Sequence, residues 1–303
     1  MRKEVASHGV SVVEIAKRRD GEWKTVRSRF NRRITAQTVM EFTGPACGSN
    51  LLRTKYSPKG TKSRGTLNNC ANGFTPWGTY LTCEENWAGY FYNAATSGRP
   101  REHSRYGVPS AASSTYGWGT RPEDQYARFN ATPSTLEFYD AEAAKNDYRN
   151  EPNTFGWVVE IDPFDPKSTP KKRTALGRLA HEGAWFAPAQ IGKPIVVYTG
   201  DDSRGEYIYK YVSRKPYSPW NGSGGDYLDE GTLYVARFNE DGTGTWIALT
   251  FGKNGLTPAN GFKDQADVLI NARSAADRVL ATKMDRPEWA VVDELYGDRK
   301  SVV

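Results

Sequence analysis

The chain has 303 residues, 38% hydrophobic and 13% aromatic, and its 41 basic against 35 acidic residues give a formal net charge of +6. The aromatic content excludes an intrinsically disordered chain, because Trp, Tyr and Phe supply much of the area a core needs. No run approaches the ~18 consecutive apolar residues of a membrane-crossing helix, and the basic runs Lys17-Arg18-Arg19, Arg32-Arg33 and Lys171-Lys172-Arg173 lack the helix or aromatic-studded stripe of a nucleic-acid footprint. Met1 to His8 carries no apolar core of a signal peptide. The odd cysteine count, Cys47, Cys70 and Cys83, argues against a disulfide framework and leaves a free thiol or a metal-bound thiolate.

In chain order, the first clear strand is Trp77–Cys83. A polar insertion rich in Ser, Gly, Arg and Pro follows over 93–135, a length that marks a functional or mobile loop. Pro133 to Lys145 can start a helix, with Ser134 or Thr135 near its cap. Strand Gly156–Asp162 ends in the turn residues Asp162-Pro163 and Asp165-Pro166. Strands Ile195–Thr199 and Glu206–Val212 precede a second loop, Lys215–Asp229. Strands Gly231–Phe238 and Gly244–Leu249 flank Asp241-Gly242, a hairpin signal. The apolar spacing over Asp264 to Leu280 predicts a helix, and Trp289–Val292 reads as the opening of another strand pair. Short β-branched and aromatic runs between turn residues make this an all-β chain, and their recurrence fits the blades of a β-propeller. No composition break divides 1–303, so one domain is expected, holding half to two-thirds of the strands a ring requires at about four per blade. Such an open ring would expose unpaired edges.

Four clusters carry candidate chemistry. Asn68-Asn69-Cys70 through Thr82-Cys83-Glu84-Glu85-Asn86 places a thiol, side-chain amides and adjacent carboxylates around one strand. If that strand continues, alternation sends Glu84 and Glu85 to opposite faces, so at most one faces a given site directly unless a bulge intervenes. Oxygen-rich loops suit hard cations and a thiolate suits softer iron or zinc, while half-buried cysteines beside a turn would give the same pattern. His181-Glu182-Gly183-Ala184 is either a ligand or acid–base pair, or solvated polar residues before a strand. Gly200-Asp201-Asp202 with Glu206 is either a cation loop or a hairpin turn. In Met284-Asp285-Arg286-Pro287-Glu288-Trp289, Pro287 predicts an extended Arg286, with Arg286 and Glu288 on one face. That pair reads as a phosphate-binding guanidinium beside a metal-binding carboxylate, or as a surface salt bridge.

Taken in order, these clusters resemble the PhoX-type alkaline phosphatases, from about Gly44 to Trp289. The most specific pieces are Asn68 to Gly73, Thr75-Pro76-Trp77-Gly78-Thr79, and Thr82 to Asn86. His181 to Ala184, Gly200-Asp201-Asp202 with Tyr207 to Lys210, and Met284 to Trp289 follow. The resemblance implies a monomeric, periplasmic or secreted hydrolase of small phosphomonoesters on a six-bladed propeller, with no nucleic-acid or membrane partner. It implies ferric (Fe3+) and calcium (Ca2+) ions around a bridging oxygen. Cys70 is similar to the family's iron-binding cysteine, and Glu182 and Glu288 to its metal-ligating glutamates. Glu84 and Glu85 lie in a matching motif with the metal of each left open. Arg286 is similar to the phosphate-contacting arginine, so Arg286 and Cys70 are the expected catalytic residues. Family members carry an export signal and acidic ligands beyond the Arg-Pro-Glu motif, neither of which is visible here, so an incomplete metal cluster is expected. A non-catalytic propeller scaffold, or a truncated inactive fragment, is the alternative.

Overall fold

A computed structural model of the chain describes residues 2–221, 224–292 and 301–302. Two sheets carry the architecture. The larger has the strand order Lys62–Arg64, Val39–Thr43, Lys171–Arg173, Val158–Ile161, Tyr80–Glu84, Asn69–Phe74. Only the Val39–Thr43 and Lys171–Arg173 pair in it is parallel. The second is an antiparallel meander of His181–Phe186, Pro194–Asp201, Ile208–Pro216, Gly231–Phe238 and Gly244–Ala248. Among the described residues no sheet closes on itself. The fold is therefore mostly β with several sheets, and the six-bladed ring expected from the resemblance is not seen.

Burial explains the strand choice. All of Val158–Ile161 is buried, so even its one acidic residue must find partners inside. Glu160 accepts hydrogen bonds from Trp77 Nε1 (2.8 Å), Thr79 Oγ1 and Arg173 Nε (2.6 Å), as a buried carboxylate requires. The 93–135 segment contributes the short helices Arg101–Ser104 and Asp124–Ala127. It also buries Tyr106, Trp118, Tyr126 and Phe129 against Trp87, Tyr90, Phe91 and Phe155.

Two helical expectations change. Over 133–145 only the turn Ala143–Lys145 is helical. Asp140 accepts the amides of Glu142 and Ala143, and Asp147 accepts that of Ser134. These local side-chain bonds compete with a continuous helix. The Asp264–Leu280 region forms two helices, Gln265–Ile270 and Ala272–Arg278, the first capped by Asp264 onto the Asp267 amide. They break at Asn271, whose side chain is drawn to Glu102 and Asp267. The strand expected over Trp289–Val292 is confined to Val291–Val292, which pairs with Ser301–Val302.

Two glycines join the parts that matter for the site. A Cβ on Gly73 would lie 2.0 Å from the Ala184 carbonyl oxygen, so only glycine lets Asn69–Phe74 approach His181–Phe186. A Cβ on Gly200 would lie 2.4 Å from the Pro287 oxygen and 2.5 Å from that of Glu288, so the Arg286 segment can press onto the meander.

Candidate metal centre

The site gathers at the junction made by those close approaches. The ladder between Asn69–Phe74 and Tyr80–Glu84 shifts register between Asn69 and Asn72, which places Cys70 and Ala71 in a bulge. Ala71 is buried while the Cys70 side is open. A second shift falls between Glu182 and Trp185, beside Gly183 at φ +78°. Bulges re-aim side chains at sheet rims, and these two aim Cys70 and Glu182 at one another. Cys70 Sγ lies 3.8 Å from Glu182 Oε1.

Four carboxylates and one thiol converge there. Ligand atoms of Cys70, Glu85 and Glu182 all lie within 4.8 Å of one another, and so do those of Glu182, Asp202 and Glu288. Glu182 belongs to both groups and is their hinge. Arg286 faces them, donating from Nε and Nη2 to the two oxygens of Asp202, at 2.8 and 2.6 Å. Arg286 Nη2 also sits 3.3 Å from Glu288 Oε1. The segment is anchored by Met284–Asp285 pairing with Arg204–Glu206. Arg286 itself has φ +60°, not the extended geometry predicted from Pro287. A left-handed non-glycine residue costs of order 1–3 kcal/mol, and the fork on Asp202 and the Gly200 contact hold it there.

The electrostatics are those of too much negative charge. Burial, then the Glu182 and Glu85 carboxylates, pushes the Cys70 thiol up to about 12. Burial, then Glu85 and Glu288, pushes Glu182 up to about 7. Glu85 is raised too, first by burial. Glu182 Oε2 is buried with no hydrogen-bond partner. An orphaned buried carboxylate oxygen amid like charges fits a bound cation, and the donor set of carboxylates plus one thiol suits a hard ion with iron-type softness at the sulfur.

Three acidic or polar dipeptides, two of them at strand ends, divide their labour between neighbouring side chains. Glu85, Glu182 and Asp202 face the cluster, while the preceding residue of each pair enters an internal network. His181 is fully buried between Thr199 Oγ1 (3.0 Å) and the Gly177 carbonyl (2.9 Å). Asp201 accepts Arg273 Nε and Nη2 at 2.8 and 2.6 Å. Glu84 accepts Lys172 Nζ at 2.8 Å and the amides of Gly156 and Trp157 at 2.9 and 3.0 Å. Of the sequence-predicted residues, the structure therefore brings together Cys70, Glu85, Glu182, Arg286 and Glu288, and holds Glu84 apart. Cys83 is buried in the core. Asp202 joins the metal cluster from the Gly200-Asp201-Asp202 motif, which the resemblance did not mark as a metal ligand. Its signal, Asp201-Asp202 after Gly200, was visible but equally fitted a turn.

Glu84→Gln is accordingly expected to act on stability. Breaking a buried pair by removing one charge costs about 3–5 kcal/mol, here with both Glu84 and Lys172 fully buried. Thermal unfolding should show that loss, while metal bound per folded chain stays at the wild-type level. Loss of metal without loss of stability would assign Glu84 to the cluster instead.

No curated protein matches the chain. The structure of Pseudomonas fluorescens PhoX in complex with vanadate, a transition state analogue, is similar to it at TM-score 0.84 and 48% sequence identity. The match covers 96% of this chain and 48% of that one, so the chain spans about half the length of that protein. The family model described as "Alkaline phosphatase PhoX" matches residues 1–301. Motif order, site geometry and that match over nearly the whole length agree: the chain belongs to the PhoX alkaline phosphatase family.

Proposed function

We propose that this chain supplies the first metal ligands and the phosphate-binding arginine of a metal-dependent phosphomonoesterase. The observation that carries the reading is the cluster of four carboxylates and one thiol hinged on Glu182, whose Oε2 has no protein partner, with Arg286 alongside. Cys70, Glu85, Glu182, Asp202 and Glu288 would hold the metals, Fe3+ at the thiol side and Ca2+ among the carboxylates; Glu84 is left out of this set. Bound metal would supply Lewis acidity toward the phosphoryl group and the attacking oxygen. Arg286 presents a planar donor set to the phosphoryl oxygens. Asp202 holds two of its donors and so fixes the plane of the guanidinium. Glu182, protonated up to about 7 without a cation, ionises when one binds, as does Cys70.

The two sheets act as blades of a propeller completed by the remainder of the longer protein, a monomer working on small phosphomonoesters outside the cytoplasm. The test is hydrolysis of p-nitrophenyl phosphate by the full-length protein before and after exhaustive chelation. Activity should vanish with the metal and return when Fe3+ and Ca2+ are restored. Activity untouched by chelation would end the metal reading.

A further inference from the structure

The loop that delivers Cys70 and Glu85 is fastened by a residue some sixty positions upstream. Asn68 adopts φ +48°, a left-handed conformation uncommon outside glycine. Its carbonyl accepts the Glu85 amide (3.1 Å) and its Oδ1 accepts the Asn86 amide (3.3 Å). One residue thus spans the two strand ends that carry the thiol and the carboxylate. What pins Asn68 is His8: the Asn68 amide donates to His8 Nδ1 at 3.2 Å. That assigns the proton to Nε2, which faces Tyr90 Oη at 3.3 Å, and Tyr90 Oη in turn accepts Asn68 Nδ2 at 3.2 Å. The ring closes His8, Asn68 and Tyr90 into one unit. The imidazole packs edge-on against Tyr90 and Trp118, with centroids 5.1 and 5.3 Å away. The partners of His8 are Asn68, Tyr90 and Trp118, none of them a member of the cluster.

We propose that His8 is a positioning residue of the metal centre: by accepting the Asn68 amide it holds the strained turn that sets Cys70 against Glu85. This inference rests on the metal reading above. Three variants separate the hydrogen bond from packing. His8→Asn keeps an acceptor where Nδ1 stood and loses the ring. His8→Phe keeps the ring and loses the acceptor. His8→Ala loses both. Outer-shell partners of metal ligands are worth roughly 10–100-fold in metal affinity. Affinity for iron and calcium in the full-length protein, measured by elemental analysis across a titration of each ion, should weaken by that order in His8→Phe and His8→Ala. His8→Asn should restore most of it.

In the full-length enzyme kcat should follow metal content. KM should change little, because Arg286 and Asp202 hang on other strands. If His8→Phe binds metal like the wild type, or if His8→Asn fails alongside His8→Phe while all share one melting temperature, the hydrogen bond is not the device and the proposal falls. A full-length wild-type protein that takes up no metal would instead overturn the metal reading itself.

Discussion

Glu182→Gln should empty the metal centre. The substitution keeps the shape of the side chain and removes the one charge common to both groups of ligands. Iron and calcium content should fall to background. kcat of the full-length enzyme should fall by more than roughly 100-fold, beyond what loss of an outer-shell partner costs. A second readout has the opposite sign. Without metal, the Glu182 carboxyl is pushed up to about 7, first by burial and then by Glu85 and Glu288. A carboxyl raised in the folded state contributes stability that is full below its unfolded value, near 4.5, and is lost as pH rises through about 7. At pH 8 the metal-free wild type carries that whole penalty and the Gln variant does not. Metal-free Glu182→Gln should therefore melt at or above the wild-type temperature at pH 8, with the gap closing toward pH 4.5. A variant that is metal-poor and also less stable at pH 8 would point to a folding defect rather than a lost ligand.

Arg286→Lys should separate phosphate binding from metal binding. Lysine restores a positive charge but not the planar fork that places two donors on Asp202. KM and the inhibition constant for inorganic phosphate should each rise roughly 10- to 100-fold, the equivalent of ~1.5–3 kcal/mol for a hydrogen bond to a charged group. Metal content should hold. Glu288→Gln, changed two residues away, should lose metal along with turnover, because its carboxylate belongs to the Glu182 and Asp202 group. Were the pair only a salt bridge closing a strand end, both variants would melt lower and leave kinetics per folded molecule nearly unchanged. The bridge is exposed, with Arg286 at 53% and Glu288 at 54%. An exposed pair contributes little to stability, so the kinetic outcome is the expected one.

Much of the β character could be read directly from the chain, because it depends on local pattern. Gly231–Phe238 falls where its β-branched and aromatic run begins and ends, and the Asp241-Gly242 turn forms with Gly242 at φ +82°. Cys70, Glu182, Arg286 and Glu288 were legible as motif residues, and a strand continuing through Glu84 and Glu85 would set the two on opposite faces. Alternation cannot say which of the two faces outward, since that depends on whether Lys172 and the Gly156 and Trp157 amides wait on one side. Asp202 could not be told from Asp201 for the same reason: Asp201 is claimed by Arg273, some seventy residues later, and its neighbour is left to the site. The helix break at Asn271 and the left-handed turn at Arg286 follow from contacts with Glu102 and Asp202, both distant in sequence. The chain alone determined which residue types could bind metal and phosphate. Tertiary structure decided which of them meet, because each close approach is set by partners that no local pattern contains.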